Sequence, residues 1–205
     1  MKLAKVTLIW AALAAAICVP IVFAAASPLL AWRDPLYIVA GFAGIVALGL
    51  LLVQPVLIGG YLPGLSAYRS RRTHRWIGGL LIVAVLIHVG GLWITSPPDM
   101  IDALLFRSPT PFSPFGVIAM WAIFAIALIV VLRQRMRLRT WRIAHTSLAV
   151  VIVVTSVVHG ILIEGAMETM SKVALCALIL SATIRVVTHL WARRKPTTSH
   201  STEGG

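Results

Sequence analysis

The alternation of long apolar runs with short basic segments limits this chain more than any other feature. Six runs stand at about 6–26, 36–58, 74–94, 114–132, 141–163 and 173–191. Each is near the ~20 residues that an α-helix needs to cross a hydrocarbon core of roughly 30 Å. A backbone in hydrocarbon must satisfy its own hydrogen bonds, so runs of this length and spacing predict helices rather than strands. The chain is 60% hydrophobic, with mean hydropathy +0.96. That is more apolar surface than a water-soluble domain of 205 residues can hide. The expected fold class is an all-α integral membrane protein, a six-transmembrane-helix bundle, with residues 1–195 as one membrane domain and 196–205 as a disordered tail.

The basic residues set the expected orientation. The net charge of +12 would suit nucleic acid, but the charges cluster between apolar runs, as in cytoplasmic loops. No nucleic-acid partner is expected. With an even number of spans, Lys2, Lys5, Arg69, Arg71, Arg72, Arg75, the five arginines of 133–142, Arg185, Arg193, Arg194 and Lys195 share one side. Only Arg33, Arg107 and Lys172 lie on the other, leaving fifteen of eighteen together. The positive-inside rule makes that side, with both termini, cytoplasmic. The expected location is the cell inner (plasma) membrane, multi-pass. The first run ends in Ala24-Ala25-Ala26, which resembles a signal-peptide cleavage site. At ~21 residues it exceeds the 7–15 of such a segment, and a retained helix is expected. Cys18 and Cys176 both lie inside apolar runs, with no CxxC spacing. They read as small core residues without a disulfide.

Two stretches echo one another. Residues 71–93 read RRTHRWIGGLLIVAVLIHVGGLW, and residues 139–163 read RTWRIAHTSLAVVIVVTSVVHGILI. Each opens with arginine and tryptophan and carries two histidines fourteen positions apart, His74/His88 and His145/His159. Fourteen residues turn about 1400°, some 40° short of four full turns, and rise about 21 Å. Both histidines of a pair therefore share one helix face, at two depths. The two spans run in the same direction, so His74 matches His145 in depth and His88 matches His159.

A lone intramembrane histidine is ordinarily a hydrogen-bonded packing residue, because polar groups there turn inward. Four in two matched pairs ask for more. Bis-histidine haem ligation needs one imidazole from each of two facing helices. The expected ligands are His74 with His145 for an inner haem iron and His88 with His159 for an outer one. A zinc or copper site would gather three or four ligands around one ion. The ~21 Å between pairs forbids one site for all four, and no thiol lies near either pair. A proton relay stays open, although no Asp or Glu lies in the spans. Gly78, Gly79, Gly90, Gly91 and Gly160 leave room for a porphyrin face or, equally well, for another helix. Arg71, Arg72, Arg75 and Arg142 could pair with propionates, but topology alone accounts for most of them. His189 and His200 have no partner at helical spacing.

On HRWIGGLLIVAVLIH, RTWRIAHTSLAVVIVVTSVVHG and the arginine-rich entry to each, the chain resembles the ferric-reductase-like transmembrane domain family over roughly 36–191. That family includes ferric reductases, the membrane part of NADPH oxidases, and the haem-binding membrane subunit of the methionine sulfoxide reductase system. The resemblance implies a six-helix bundle with two stacked b-type haems that pass electrons across the membrane. It implies His74 and His145 as ligands of the inner haem, His88 and His159 as ligands of the outer. Ferric reductases and NADPH oxidases carry a flavin and nicotinamide domain after the sixth span. None is expected here, so a flavin would act only through a partner. The expected function is ferric-reductase-like electron transfer as an oxidoreductase membrane component. The donor would be a separate flavoprotein or a quinone. The acceptor would be ferric iron, oxygen or a periplasmic redox protein, docking on the long loop 95–113. The alternatives are a membrane haem subunit serving a separate periplasmic reductase, and a non-redox transport or assembly module.

Overall fold

A computed structural model describes residues 2–192. The expected disordered tail, 196–205, lies outside the described residues. Within them the chain is helical, without strands. Seven α-helices follow in order: α1 (Lys2–Ala25), α2 (Pro35–Ile58), α3 (Ala67–Thr95), the short α4 (Pro97–Leu104), α5 (Ser113–Val131), α6 (Leu138–Leu162) and α7 (Thr169–Ala192). All but α4 are long and apolar enough to cross a membrane, making six candidate spans. Their outward faces carry exposed Leu, Val, Ile, Phe and Trp. Lipid can cover such residues at no cost, because its tails are as apolar as the side chains.

The helix starts follow local chemistry, and several differ from those expected. At α2, Asp34 accepts from Leu36 N–H at 2.7 Å and Tyr37 N–H at 3.3 Å, with Pro35 in the first turn. Ser66 caps α3 through Arg69 N–H at 3.3 Å. The third span therefore begins two turns before His74, and Arg69, Arg71 and Arg72 lie on helix instead of in the expected loop. Apolar periodicity finds only the buried part of a helix; a polar extension with a good cap continues past it. In the same way α6 starts at Leu138 rather than Trp141, and α7 at Thr169 rather than Val173. Lys172, expected in a loop, lies in the first turn of α7. The long loop 95–113 holds a short helix, α4, from Pro97 to Leu104. Its two prolines lack the N–H groups that a first turn leaves unpaired, and Phe106, at φ 57°, lies beyond its end.

Close packing joins α2 to α3, α5 to α6, α6 to α7 and α7 back to α2, a sparse contact between α3 and α5 closes the circuit, and α1 lies outside against α2 and α7. This is a ring of five helices. The core within it draws Leu48, Leu51 and Leu52 from α2, Leu81 and Val85 from α3, Met120 and Ile123 from α5, Ile152 and Val157 from α6, and Leu175, Cys176 and Ile179 from α7. The histidine-bearing helices α3 and α6 are not a closely packed pair. They face each other across the interior, with α2 packed on α3 and α5 packed on α6.

Candidate functional site

The four histidines meet in two pairs, as the spacing predicts. The His74 and His145 ring centroids are 6.3 Å apart with planes at 70°. Those of His88 and His159 are 6.5 Å apart at 78°. All four rings are half-buried. The first pair lies toward the end of the bundle that holds the 133–142 arginines, and is the arginine-end pair below. The second lies toward α4 and the 105–112 segment, and is the loop-end pair.

These separations can be tested against a bound metal ion. A metal–imidazole bond is about 2.0–2.1 Å, and an imidazole centroid lies about 1.1 Å from its nitrogens, so two rings ligating one ion from opposite sides have centroids about 6.3 Å apart. Both pairs fit. Among the described residues no group of three or more His, Cys, Asp or Glu could hold an ion by itself. Each pair would therefore supply two ligands at most, one from each of two helices that are not packed together.

At the loop end the rings are already oriented. His88 Nδ1 is 2.7 Å from the Ala40 carbonyl of α2, and His159 Nδ1 is 2.9 Å from the Phe112 carbonyl that precedes α5. A carbonyl only accepts, so each Nδ1 carries the proton and donates it. Each Nε2 is then left with a free lone pair, the form in which imidazole binds metal. Both contacts depend on a glycine four residues after the acceptor. A Cβ on Gly44 would lie 3.0 Å from His88 Cε1 and Nδ1, and one on Gly116 would lie 2.6 Å from His159 Cε1. Neither glycine lies in the histidine-bearing helices, so their part in the site follows from contact between helices. The sequence does carry a trace of it: a glycine stands 44 residues before His88 and another 43 before His159. The glycines beside the histidines do less. Gly79 and Gly90 have nothing nearby, while a Cβ on Gly91 would lie 2.7 Å from Ala40 Cβ, making Gly91 a helix contact.

The arginine end is built differently. His74 Nδ1 and His145 Nδ1 are buried without a hydrogen-bond partner, as are Gln54 Oε1 and Trp141 Nε1. Trp141 stacks on His145 at 5.3 Å with planes 20° apart, and the Arg133 guanidinium lies over the Trp141 ring at 4.8 Å. A tryptophan at the end of a membrane span is commonly an interfacial anchor; here Trp141 packs on the ring of His145.

Lys172 is the one buried charged side chain among the described residues. Its Nζ donates to the Ile163 carbonyl at 2.7 Å. Ile163 closes α6 four residues after His159, so Lys172 ties the start of α7 to the end of the helix that holds the loop-end pair. At the same junction Glu168 accepts from Met170 and Ser171 N–H, both at 2.7 Å, and these bonds hold its carboxyl below the usual range.

A search of curated proteins and a search of solved structures return no match. The family model for the ferric reductase like transmembrane component matches residues 40–156. That stretch contains His74, His88, His145, Gly44 and Gly116 and stops three residues before His159. It covers more than half of the chain. The protein is a multi-pass membrane protein that belongs to the ferric reductase like transmembrane component family.

Proposed function

We propose that this protein is a transmembrane electron conduit holding two b-type haems, one between His74 and His145 and one between His88 and His159. The observation that carries the proposal is the pair of imidazole–imidazole separations, 6.3 and 6.5 Å, on two helices held apart across the bundle. Family membership supports the same reading, since the family is one of oxidoreductase membrane components. Haem iron, cycling between ferrous and ferric, supplies one-electron transfer when bound.

The chain contributes placement and environment. The ~21 Å rise between the two histidines of each helix sets the two sites at different depths. The Ala40 and Phe112 carbonyls hold the loop-end rings as Nε2 donors. Leu48, Leu81, Ile152 and the rest of the apolar core keep water from between the sites. By the positive-inside rule the arginine end faces the cytoplasm together with both termini, and the loop end faces the opposite side of the inner membrane. Electrons then enter at the His74/His145 site from a separate flavoprotein or quinone. They leave at the His88/His159 site toward ferric iron, oxygen or a periplasmic redox protein.

The test is a dithionite-reduced minus oxidised absorption spectrum of the purified full chain, with haem counted per polypeptide. Two low-spin b-type haems are expected in the protein, and one in the His88→Ala variant. Retention of both haems by that variant would remove His88 from the site. A wild-type protein without haem, made with ample haem supply, would sink the conduit.

A further inference from the structure

We propose that a groove between α1, α2 and α7 binds one anionic phospholipid, its phosphate held by Arg185 and Tyr61 at the arginine end and one acyl chain lying along α1. The inference is independent of the haem reading. α1 packs on the outside of the helix ring, against α2 and α7, and does not close on them. A groove of about 310 Å³ runs between the three helices, walled by Leu13, Leu52 and Leu178 among others. A second, of about 280 Å³, continues it between α1 and α7 as far as Pro20, and the two share Ala12, Ala16 and Leu178. From Ile9 to Pro20 they follow α1 for eleven residues, about 16 Å. That is close to half of a hydrocarbon core of roughly 30 Å, the depth of one leaflet. The walls are apolar for most of this length, as an acyl chain requires.

The arginine end of the groove carries a cation. Arg185 lies seven residues, about 10 Å, inside the end of α7 at Ala192. Its guanidinium stands over the Tyr61 ring at 5.6 Å. Tyr61 is placed in turn by the link between α2 and α3. Its ring packs on Gly59, where a Cβ would collide with it. The Pro63 carbonyl of the same link accepts from Trp10 Nε1 at 3.4 Å, which ties the link to α1. Arg185 and Tyr61 are both exposed. Among the described residues no carboxylate stands near them: Asp34, Asp99, Asp102, Glu164 and Glu168 all lie at the loop end of the bundle. A cation within a membrane helix calls for an anion or another polar partner. A phosphate headgroup supplies the charge and accepts from the guanidinium and from the Tyr61 hydroxyl. It also brings the chain that fills the groove. Basic pockets between membrane helices take anionic lipid headgroups in this way. A neutral quinone would fill the apolar part and leave Arg185 unanswered.

The probes are phosphatidylglycerol and phosphatidylcholine with identical chains, added to the delipidated full chain in detergent and counted per polypeptide by native mass spectrometry. One retained phosphatidylglycerol is expected, preferred about fivefold over phosphatidylcholine, the contribution of one arginine near an anionic headgroup. Arg185→Gln should abolish the preference. Arg135→Gln, which removes a cation of the same end from the α5–α6 link, should keep it. Ala12→Phe places a ring where the two grooves meet and should lower retention of both lipids with Arg185 intact, so the groove is tested even if Arg185→Gln fails to fold. The proposal is overturned if the wild type holds the two lipids equally or holds neither. It is also overturned if the preference survives in Arg185→Gln, if it falls as far in Arg135→Gln, or if Ala12→Phe leaves retention unchanged. Displacement of phosphatidylglycerol by an equal concentration of ubiquinone would assign the groove to a neutral redox lipid and overturn it too. None of these measurements reads haem, so failure here leaves the conduit untouched.

Discussion

The arginine-end and loop-end pairs use the same rings at nearly the same separation, yet the layer around them differs. At the loop end, two main-chain carbonyls hold the Nδ1 protons, and two glycines clear the space for the rings. At the arginine end the Nδ1 atoms are unpartnered, and a stacked tryptophan under an arginine takes the place of the carbonyl. The loop-end rings are thus oriented by main-chain hydrogen bonds. The arginine-end pair is framed instead by the indole stacked on His145.

The most severe way to break this contrast is Gly116→Val. A single Cβ there already meets His159 at 2.6 Å, and overpacking of this kind costs about 1–3 kcal/mol. The ring must leave its carbonyl, so haem per chain should fall from two to one, with the arginine-end spectrum intact. Gly79→Val, at a position with nothing within 4 Å, is the control and should keep both haems. Equal loss in the two variants would remove the special role of Gly116.

Trp141 probes the other pair. Trp141→Ala removes the ring stacked on His145 and should speed haem loss from the arginine end by about tenfold, which haem transfer to an apo-globin would follow. Trp141→Phe keeps a ring in the stack and should restore most of the retention. Loss from the loop end instead would break the assignment.

Lys172→Met strips the Ile163 carbonyl of its partner at the end of α6. A buried carbonyl without a partner costs about 1–3 kcal/mol, to be read as a lower thermal midpoint in detergent. The loop-end haem should be the first lost on heating. Identical melting of variant and wild type would leave Lys172 without a structural role.

The smallest expected effect is at Glu168. Its carboxyl is held low by the Ser171 and Met170 N–H groups. A depressed folded-state pKa stabilises above the unfolded value, and that stabilisation is lost as pH falls through the folded one. The melting difference between wild type and Glu168→Gln should be present at neutral pH and vanish on acidification below the carboxylate range. A difference that persists there would assign the effect to shape rather than charge.

Much of this was legible in the residues themselves. The six spans came from run length, since hydrocarbon leaves a backbone no alternative to the helix. The pairing of His74 with His145 and His88 with His159 came from the fourteen-residue repeat and the parallel direction of the two spans. The family came from the motifs around those histidines. Tertiary structure alone decided what surrounds the rings. Gly116 reads as an ordinary helix glycine until α6 is placed against α5. Trp141 reads as an interfacial anchor until its plane is seen against His145. Lys172 reads as a loop cation until the end of α6 is found beside it. Periodicity along one helix fixes which residues share a face and at what depth. Which carbonyl, glycine or indole meets that face depends on the register between helices, and register is set by packing of side chains far apart in sequence.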